Sequence, residues 1–153
     1  MDLGNCRLLV ISLLGQVYLD PIGSPFACAE RILAEVKADC TVVDFHAEAT
    51  GEKLALGYYL DGRVSAVVGT HTHVQTADET ILPQGTGYIS DLGMTGPVRS
   101  ILGVSPECVV RRMTTYLPTR SEVPAGEPCK LEGVLLDLDR KTGKCMKIVR
   151  VRL

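Results

Sequence analysis

Three histidines are the residues of this chain best suited to chemistry. His71 and His73 stand two residues apart just after an apolar run at residues 64–68, and His46 closes another apolar run, CTVVDF. A short valine-rich run predicts a buried strand, and the Gly-Thr pair that follows predicts its end. Ligand sites in open α/β sheets collect at the carboxyl ends of strands, so we expect all three histidines to meet at one sheet edge. Imidazole is a common transition-metal ligand, and the pattern therefore predicts a metal site.

The His-x-His spacing leaves the number of ions open. Alternate residues commonly point apart, so His71 and His73 could serve two adjacent ions, with His46 joining either one. Four carboxylates close to the histidines in the sequence could ligate an ion or orient its ligands, namely Asp44, Glu48, Asp78 and Asp91. We expect Asp44, inside a strand, to be a core or orienting carboxylate, and Asp91 to anchor a loop. A carboxylate within ligand distance of the histidines would favour an enzyme.

Composition narrows the class of protein. The chain has 153 residues, 46% hydrophobic and 22% charged, with a net charge of −2. These values predict one α/β domain over residues 1–153 and give no electrostatic signature of nucleic-acid binding. No apolar run reaches the roughly 20 residues that span a bilayer, and the start lacks the basic region of a signal peptide, so we expect a cytoplasmic protein. The six cysteines form no CxxC pair, which predicts free, mostly buried thiols.

Strands and helices are predicted to alternate in the first half of the chain. Arg7–Leu14 is a continuous apolar run, which predicts a central strand buried on both faces. Ser24-Pro25 predicts the start of a helix that reaches about Lys37, and strands follow at residues 40–45 and 64–68. Between them Thr50 is expected to cap a helix that ends near Leu60. Parallel strands joined by crossover helices follow from this order.

The second half of the chain differs in composition and in its predicted elements. A glycine-dense stretch follows the histidines, with only Gly87–Ser90 predicted as a strand, which indicates a loop that approaches a site closely. A second Ser-Pro start predicts a helix over residues 105–116. Runs at residues 131–138 and 145–151, separated by a polar Gly143 turn, predict an antiparallel hairpin, and residues 119–123 are a further candidate strand.

Other catalytic motifs are missing from the sequence. A serine-hydrolase elbow of the type Gly-x-Ser-x-Gly is not found, nor is a phosphate-binding loop ending in Gly-Lys-Ser/Thr. A cysteine nucleophile paired with a histidine stays open, although no spacing favours it.

One long block carries a family resemblance. The segment VDFHAEATGEKLALGYYLDGRVSAVVGTHTHVQTADETILPQGTGYISDLGMTGP resembles the YmdB family of bacterial calcineurin-like metallophosphoesterases, described as 2′,3′-cyclic-nucleotide phosphodiesterases. The resemblance extends more loosely over nearly the whole chain. It implies part of a metallophosphoesterase sandwich, in which parallel strands with crossover helices precede an antiparallel carboxyl-terminal sheet. It also implies a dinuclear iron or manganese site, in which His46 and His71 match ligands of one ion and His73 matches a ligand of the other.

Several family motifs have no counterpart in this sequence. The family carries an early strand-end Asp, a Glu-Asn pair that includes a bridging carboxylate, and a Gly-Asn-His motif that supplies a metal ligand and a general acid. By resemblance the chain corresponds to the carboxyl-terminal half of the enzyme. Three neutral imidazoles do not offset two dications, so we expect at most about one tightly held ion.

Two functions are therefore expected. The first is a metal-dependent phosphodiesterase of 2′,3′-cyclic nucleotides and similar diesters, incomplete or inactive without its other half. The alternative is a non-catalytic metal-binding or association module, because half a sheet exposes strand edges that pair with a second copy or another chain.

Overall fold

The computed structural model of the protein describes residues 1–2, 4–20, 22–126 and 128–153. Its elements are β1 (Leu8–Leu14), α1 (Pro25–Glu35), β2 (Cys40–His46), α2 (Thr50–Tyr59), β3 (Ala66–Thr70), β4 (Thr80–Ile81), β5 (Gly87–Ile89), β6 (Thr95–Pro97), α3 (Pro106–Thr115), β7 (Cys129–Leu138) and β8 (Cys145–Arg152). They form two sheets, with strand orders β1-β2-β3-β5-β4 and β6-β7-β8.

The larger sheet is parallel except at one edge. β1, β2, β3 and β5 pair in parallel, whereas the short β4 pairs antiparallel with β5. The smaller sheet is antiparallel throughout, and β8 lies against β4 and β5. The predicted fold class, parallel strands with crossover helices followed by an antiparallel carboxyl-terminal sheet, is confirmed.

The main core lies between the larger sheet and the first two helices. Alternate residues of neighbouring strands point to the same face, and those that point at the helices are fully buried, as Val43, Val67 and Tyr88 show. α2 approaches Tyr88 through Gly57, where an added Cβ would lie 2.8 Å from the tyrosine ring. On the other face β2 is only half-buried.

The first two helices differ in how well their starts follow the local sequence signals. Ser24 caps α1 by accepting a hydrogen bond from the Ala27 amide at 3.3 Å, as its sequence predicts. In α2 the cap is Ala49 and Thr50 is already helical, so the predicted Thr50 cap is wrong. The cap therefore has no side-chain hydrogen bond, and this helix depends on packing of Leu56 and Leu60 against the sheet.

Three strand predictions need correction. β1 is an edge strand with Val10 55% exposed, so it is not buried on both faces. β3 runs through Gly69 and Thr70 because these residues pair with Phe45 and His46 of β2. Residues 119–123 form no strand. The short strands β4 and β6 escaped prediction, whereas β5, which is equally short but apolar, was predicted.

Two predictions about the whole chain are also addressed by the structure. All six cysteines are free, as expected, but only Cys40 and Cys145 are buried, so the expectation that most of them are buried is wrong. Within the residues that the structure describes, no helix is long and apolar enough to cross a membrane.

Candidate metal centre

The carboxyl ends of β2 and β3 bring two of the three histidines together. His46 is the last residue of β2 and pairs in register with Thr70, the last residue of β3, so His71 begins the loop directly beside it. His71 Nδ1 lies 3.0 Å from His46 Nε2. The two rings are almost perpendicular, with an interplanar angle of 80° and centroids 4.8 Å apart. The convergence predicted for these two residues therefore occurs.

The partners of the outer ring nitrogens determine which nitrogens carry hydrogen. The Thr70 hydroxyl donates its one hydrogen to Asp44 Oδ1 at 3.0 Å, so toward His46 Nδ1, 3.1 Å away, it acts as the acceptor. On the other ring, Glu48 Oε2 lies 2.9 Å from His71 Nε2 and accepts its hydrogen. In the neutral rings both inner nitrogens then carry lone pairs.

Two lone pairs that face each other at 3.0 Å repel unless a positive charge lies between them. Either a proton shared by the rings or a bound cation supplies that charge. Metal–nitrogen bonds of about 2.0–2.1 Å place two neighbouring ligand nitrogens roughly 3 Å apart, so the spacing fits two ligands of one ion. The donor set of this pair thus fits a divalent transition metal.

Glu48 acts on the site through His71. Its carboxylate contacts the His71 nitrogen that faces away from His46, which is the arrangement that fixes the tautomer of a metal-binding imidazole. A carboxylate does therefore lie next to the histidines, but as an orienting group. Asp44 orients His46 through Thr70 in the same manner, as its strand position predicts.

His73 has a separate environment. Its Nδ1 lies 3.0 Å from the carbonyl oxygen of Leu102, which only accepts, so Nδ1 carries the hydrogen and Nε2 carries the lone pair. Among the contacts of the described residues, none joins His73 to the other two histidines, and no group of three or more His, Cys, Asp or Glu converges on one point. The role of His73 as a ligand of a second ion stays a prediction.

A buried ion pair holds the histidine loop. Asp91 Oδ2 accepts hydrogen bonds from Lys53 Nζ at 3.0 Å and from the Thr72 amide at 2.8 Å, while Oδ1 accepts from the Gly93 amide at 2.9 Å. Both side chains are at most 2% exposed. The loop-anchoring role expected for Asp91 is confirmed.

The anchored loop has a strained backbone. His71 and His73 have φ angles of 123° and 63°, a region that L-residues rarely adopt, and Thr72 between them is the residue that Asp91 binds. Burial alone would raise the pKa of the Asp91 carboxyl, but hydrogen bonds from Thr72, Gly93 and Lys53 outweigh it and hold the pKa below its usual value. The carboxylate is therefore charged at neutral pH and fixes the loop electrostatically.

Lys53 escaped prediction, although the sequence contains a signal for it. It lies three residues before Leu56 and seven before Leu60, on the apolar stripe of α2, where a lysine needs a buried partner. Asp78, the fourth candidate carboxylate, binds the Ser90 amide and hydroxyl instead of the histidines. Those bonds outweigh the effect of burial and lower the pKa of Asp78.

Comparisons with known proteins agree with this architecture. A family model described as YmdB-like protein matches residues 1–151. The 2′,3′-cyclic-nucleotide 2′-phosphodiesterase of Bacillus subtilis is 53% identical over 147 residues, which cover 95% of this chain and 55% of that protein. The chain thus spans just over half the length of this curated relative.

Solved structures also match this chain over its whole length and cover it with only part of their own. A hypothetical protein from Thermus thermophilus superposes with a TM-score of 0.88 at 39% identity, over 100% of this chain and 60% of that one. A novel phosphatase of Mycoplasma pneumoniae superposes with a TM-score of 0.91 at 34% identity, over 100% of this chain and 55% of that one. The chain therefore belongs to the YmdB-like protein family.

Proposed function

We propose that this chain supplies the histidine side of a metal-dependent phosphodiesterase site that acts on 2′,3′-cyclic nucleotides or similar phosphate diesters. His46 and His71 would hold one divalent ion, and His73 would serve a second. The observation that carries the proposal is the 3.0 Å approach of His71 Nδ1 to His46 Nε2, with the outer nitrogen of each ring facing a hydrogen-bond acceptor. The reaction class is supported by the name of the Bacillus subtilis relative, which is 53% identical.

The residues of this chain prepare the site in three ways. Glu48 keeps the His71 lone pair directed at His46, and Thr70 with Asp44 does the same for the His46 lone pair. The Lys53–Asp91 pair fixes the loop that carries both His71 and His73. A bound iron or manganese ion would supply Lewis-acid stabilisation of the charge that develops on the phosphate.

The ligand set in this chain is electrically incomplete. The three histidines are neutral donors, and the nearby carboxylates are already engaged: Asp44 with Thr70, Glu48 with His71, and Asp91 with Lys53. Two dications held together need negative charge among their ligands. We therefore propose that a bridging carboxylate and a general acid come from another polypeptide segment, and that this chain alone holds at most one ion tightly.

Metal analysis tests the first part of the proposal. Chain purified with manganese or iron is expected to retain about one tightly bound ion or less, and His71→Ala is expected to remove it. Two tightly bound ions per chain would show that the ligand set is complete. Retention of the ion by His71→Ala would show that it binds elsewhere.

A diesterase assay tests the second part. With bis-p-nitrophenyl phosphate and manganese, the chain alone should give little turnover, because loss of a general acid by itself typically costs about 10²–10⁴-fold in rate. Addition of the part of the Bacillus subtilis relative that this chain does not match should restore turnover, and His73→Ala should abolish it. Robust turnover by the chain alone, abolished by His73→Ala, would disprove the proposal that this chain lacks part of the catalytic site.

A non-catalytic metal-binding or association module is the second candidate function. The edge of β1 favours it, because beyond Leu8 no described residue pairs with this edge, and an open edge next to the site offers a surface for another chain. Formation of a stable complex without turnover, in the presence of metal and of the part of the Bacillus subtilis relative that this chain does not match, would decide for this alternative.

A further inference from the structure

A cationic cleft lies beside the histidine loop, on the side of the smaller sheet. Its volume is about 430 Å³, within the range of small-molecule sites. Its walls are formed by Val74, Gln75, Lys130, Glu132, Arg150 and Arg152. Val74 directly follows His73, so one wall of the cleft continues the loop of the proposed metal centre. A ligand in this cleft would therefore lie next to that loop.

The wall formed by the histidine loop is fixed to the smaller sheet. The Gln75 amide nitrogen lies 2.8 Å from the Gly133 carbonyl and 3.3 Å from the carbonyls of Leu92 and Val151. Gly133 and Val151 face each other across β7 and β8. One side chain thus joins the loop to both strands of the hairpin, and the cleft is preformed.

The positive charges on the opposite wall share a face of the hairpin. Arg150 and Arg152 are two residues apart on β8, so they project to the same side, and Arg152 pairs in register with Glu132. Lys130 is two residues from Glu132 on β7 and contacts its carboxylate at 2.8 Å. The hairpin therefore presents three cations to a single cavity.

Two carboxylates partly neutralise these cations. Glu132 is only 4% exposed, and hydrogen bonds from Lys130 and the Met94 amide outweigh its burial and lower its pKa, so it is ionised. Glu79 engages Arg150 at 2.8 Å. Lys130 and Arg150 thus have close partners, and one positive charge is left over.

Arg152 carries that remaining charge. Its side chain is 67% exposed, and its Nε lies 3.3 Å from Glu132 Oε1. A guanidinium has five N–H donors, and within the described part of the chain its terminal nitrogens make no hydrogen bond. These free, planar donors match the bidentate geometry of a phosphate group.

We propose that this cleft binds the anionic phosphate group of a nucleotide, with Arg152 as the recognising side chain and Arg150 as its electrostatic support. The assignment of a nucleotide rests on the proposed function, whereas the anion preference rests on the cleft itself. The cleft would then be a substrate or product subsite beside the metal centre.

Calorimetric titration of the intact chain with adenosine 3′-monophosphate, in the presence of EDTA, tests the proposal. EDTA removes metal from the histidines, so binding reports on the cleft alone. Loss of a bidentate charge-assisted contact should weaken binding about tenfold or more in Arg152→Gln. Arg152→Lys, which keeps the charge and loses the planar donors, should lie between wild type and Arg152→Gln.

Two comparisons make the test specific. Arg31→Gln removes one positive charge from α1, outside the cleft, and should bind the nucleotide like wild type. Uncharged adenosine should bind at least about tenfold more weakly than the monophosphate. Absence of nucleotide binding by the wild-type chain, equal affinity of Arg152→Gln and wild type, an equal loss in Arg31→Gln, or equal affinity for adenosine would each overturn the proposal.

The metal-site proposal is tested separately, by measuring the metal content of His71→Ala. Nucleotide binding in EDTA tests only the cleft, so there this variant should bind adenosine 3′-monophosphate as tightly as wild type. If the wild-type chain binds the nucleotide through Arg152 but holds no metal, the cleft proposal stands and the proposed function is disproved. Metal retention without nucleotide binding in EDTA would disprove the cleft and leave the proposed function standing.

Discussion

At the scale of single residues, the two facing histidines are defined by what their outer nitrogens contact. A threonine hydroxyl and a glutamate carboxylate direct both lone pairs toward one point. The energetic consequence is local: without a positive charge between the rings, the arrangement is repulsive. Residues that do not touch the ion can therefore change its affinity.

Glu48→Gln is expected to weaken manganese binding about 10–100-fold, the usual cost of losing an orienting carboxylate. The amide is a weaker acceptor and no longer raises the basicity of the His71 ring. Titration calorimetry of the purified chain measures the effect. Glu35→Gln, at an exposed position of α1, is the matched control and should bind like wild type. Equal affinity in both variants would show that Glu48 does not orient the ligand.

Asp91→Asn is expected to destabilise the fold by about 3 kcal/mol, because one partner of a buried ion pair is lost. All neighbours of this side chain donate hydrogen bonds, so an amide nitrogen would face another donor. Urea unfolding at pH 7 measures the difference. Asp20→Asn, at an exposed position, should leave the unfolding midpoint unchanged.

The lowered pKa of Asp91 predicts that the stability of the fold depends on pH. The pKa of Asp91 is depressed in the folded state, so its contribution to stability is present above the ordinary aspartate value of about 4 and is lost as the pH falls through the folded pKa. Between pH 6 and pH 3 the wild-type chain should lose more stability than Asp91→Asn. Identical acid sensitivity of the two proteins would contradict this origin of the loss.

At the scale of elements, the contact between β3 and the chain beyond β5 decides where the histidine loop lies. A Cβ on Gly69 would lie 1.8 Å from the Ser90 carbonyl oxygen, and the Gly69 carbonyl accepts a hydrogen bond from the Leu92 amide at 2.9 Å. The two backbones approach so closely that only glycine fits. This approach brings Asp91 under the loop that follows β3.

Gly69→Ala is expected to cost about 3 kcal/mol or more in the free energy of unfolding, because the added methyl overlaps backbone atoms that cannot move independently. Gly51→Ala in the first turn of α2 is the matched control. Its Cβ would meet no atom within 4 Å, so stability should stay the same or increase slightly. Thermal or urea unfolding compares the two, and similar stabilities would refute the close approach.

At the scale of the whole molecule, the larger sheet ends in an open edge. Within the described residues, β1 pairs with β2 on one side, and on its other side only Leu8 at its start exchanges backbone hydrogen bonds, with Met1. Val10 in its centre is 55% exposed. The carboxyl end of β1 lies next to His46, since Leu14 pairs with it in register. The open edge and the histidine pair are therefore neighbours, which is compatible with the proposed contribution of another polypeptide segment.

Val10→Lys is expected to reduce association of the chain, because a charge in the middle of an edge strand opposes strand pairing. The wild-type chain should show a mass that rises with concentration, whereas the variant should remain monomeric. Stability should change by less than about 0.5 kcal/mol at such an exposed position. Val110→Lys on α3, 53% exposed in wild type, is the control and should associate like wild type. Equal association of Val10→Lys and wild type would exclude this edge as the contact.

Local sequence patterns are sufficient to predict most of the helices and strands. Apolar runs, Ser-Pro starts and the Gly143 turn depend only on residues near each other in sequence, and the helices and main strands appear where those patterns predict them. The convergence of His46 and His71 was also predictable, because parallel neighbouring strands bring their carboxyl ends to one edge.

Other features depend on which distant segments pack together. The burial of Lys53 requires Asp91, which is 38 residues away, and the position of His73 depends on the Leu102 carbonyl. Whether β1 is central or at an edge depends on whether a neighbour is present on its second side, which its own apolar composition does not encode. Such contacts join residues far apart in the chain, so only the tertiary structure determines their geometry.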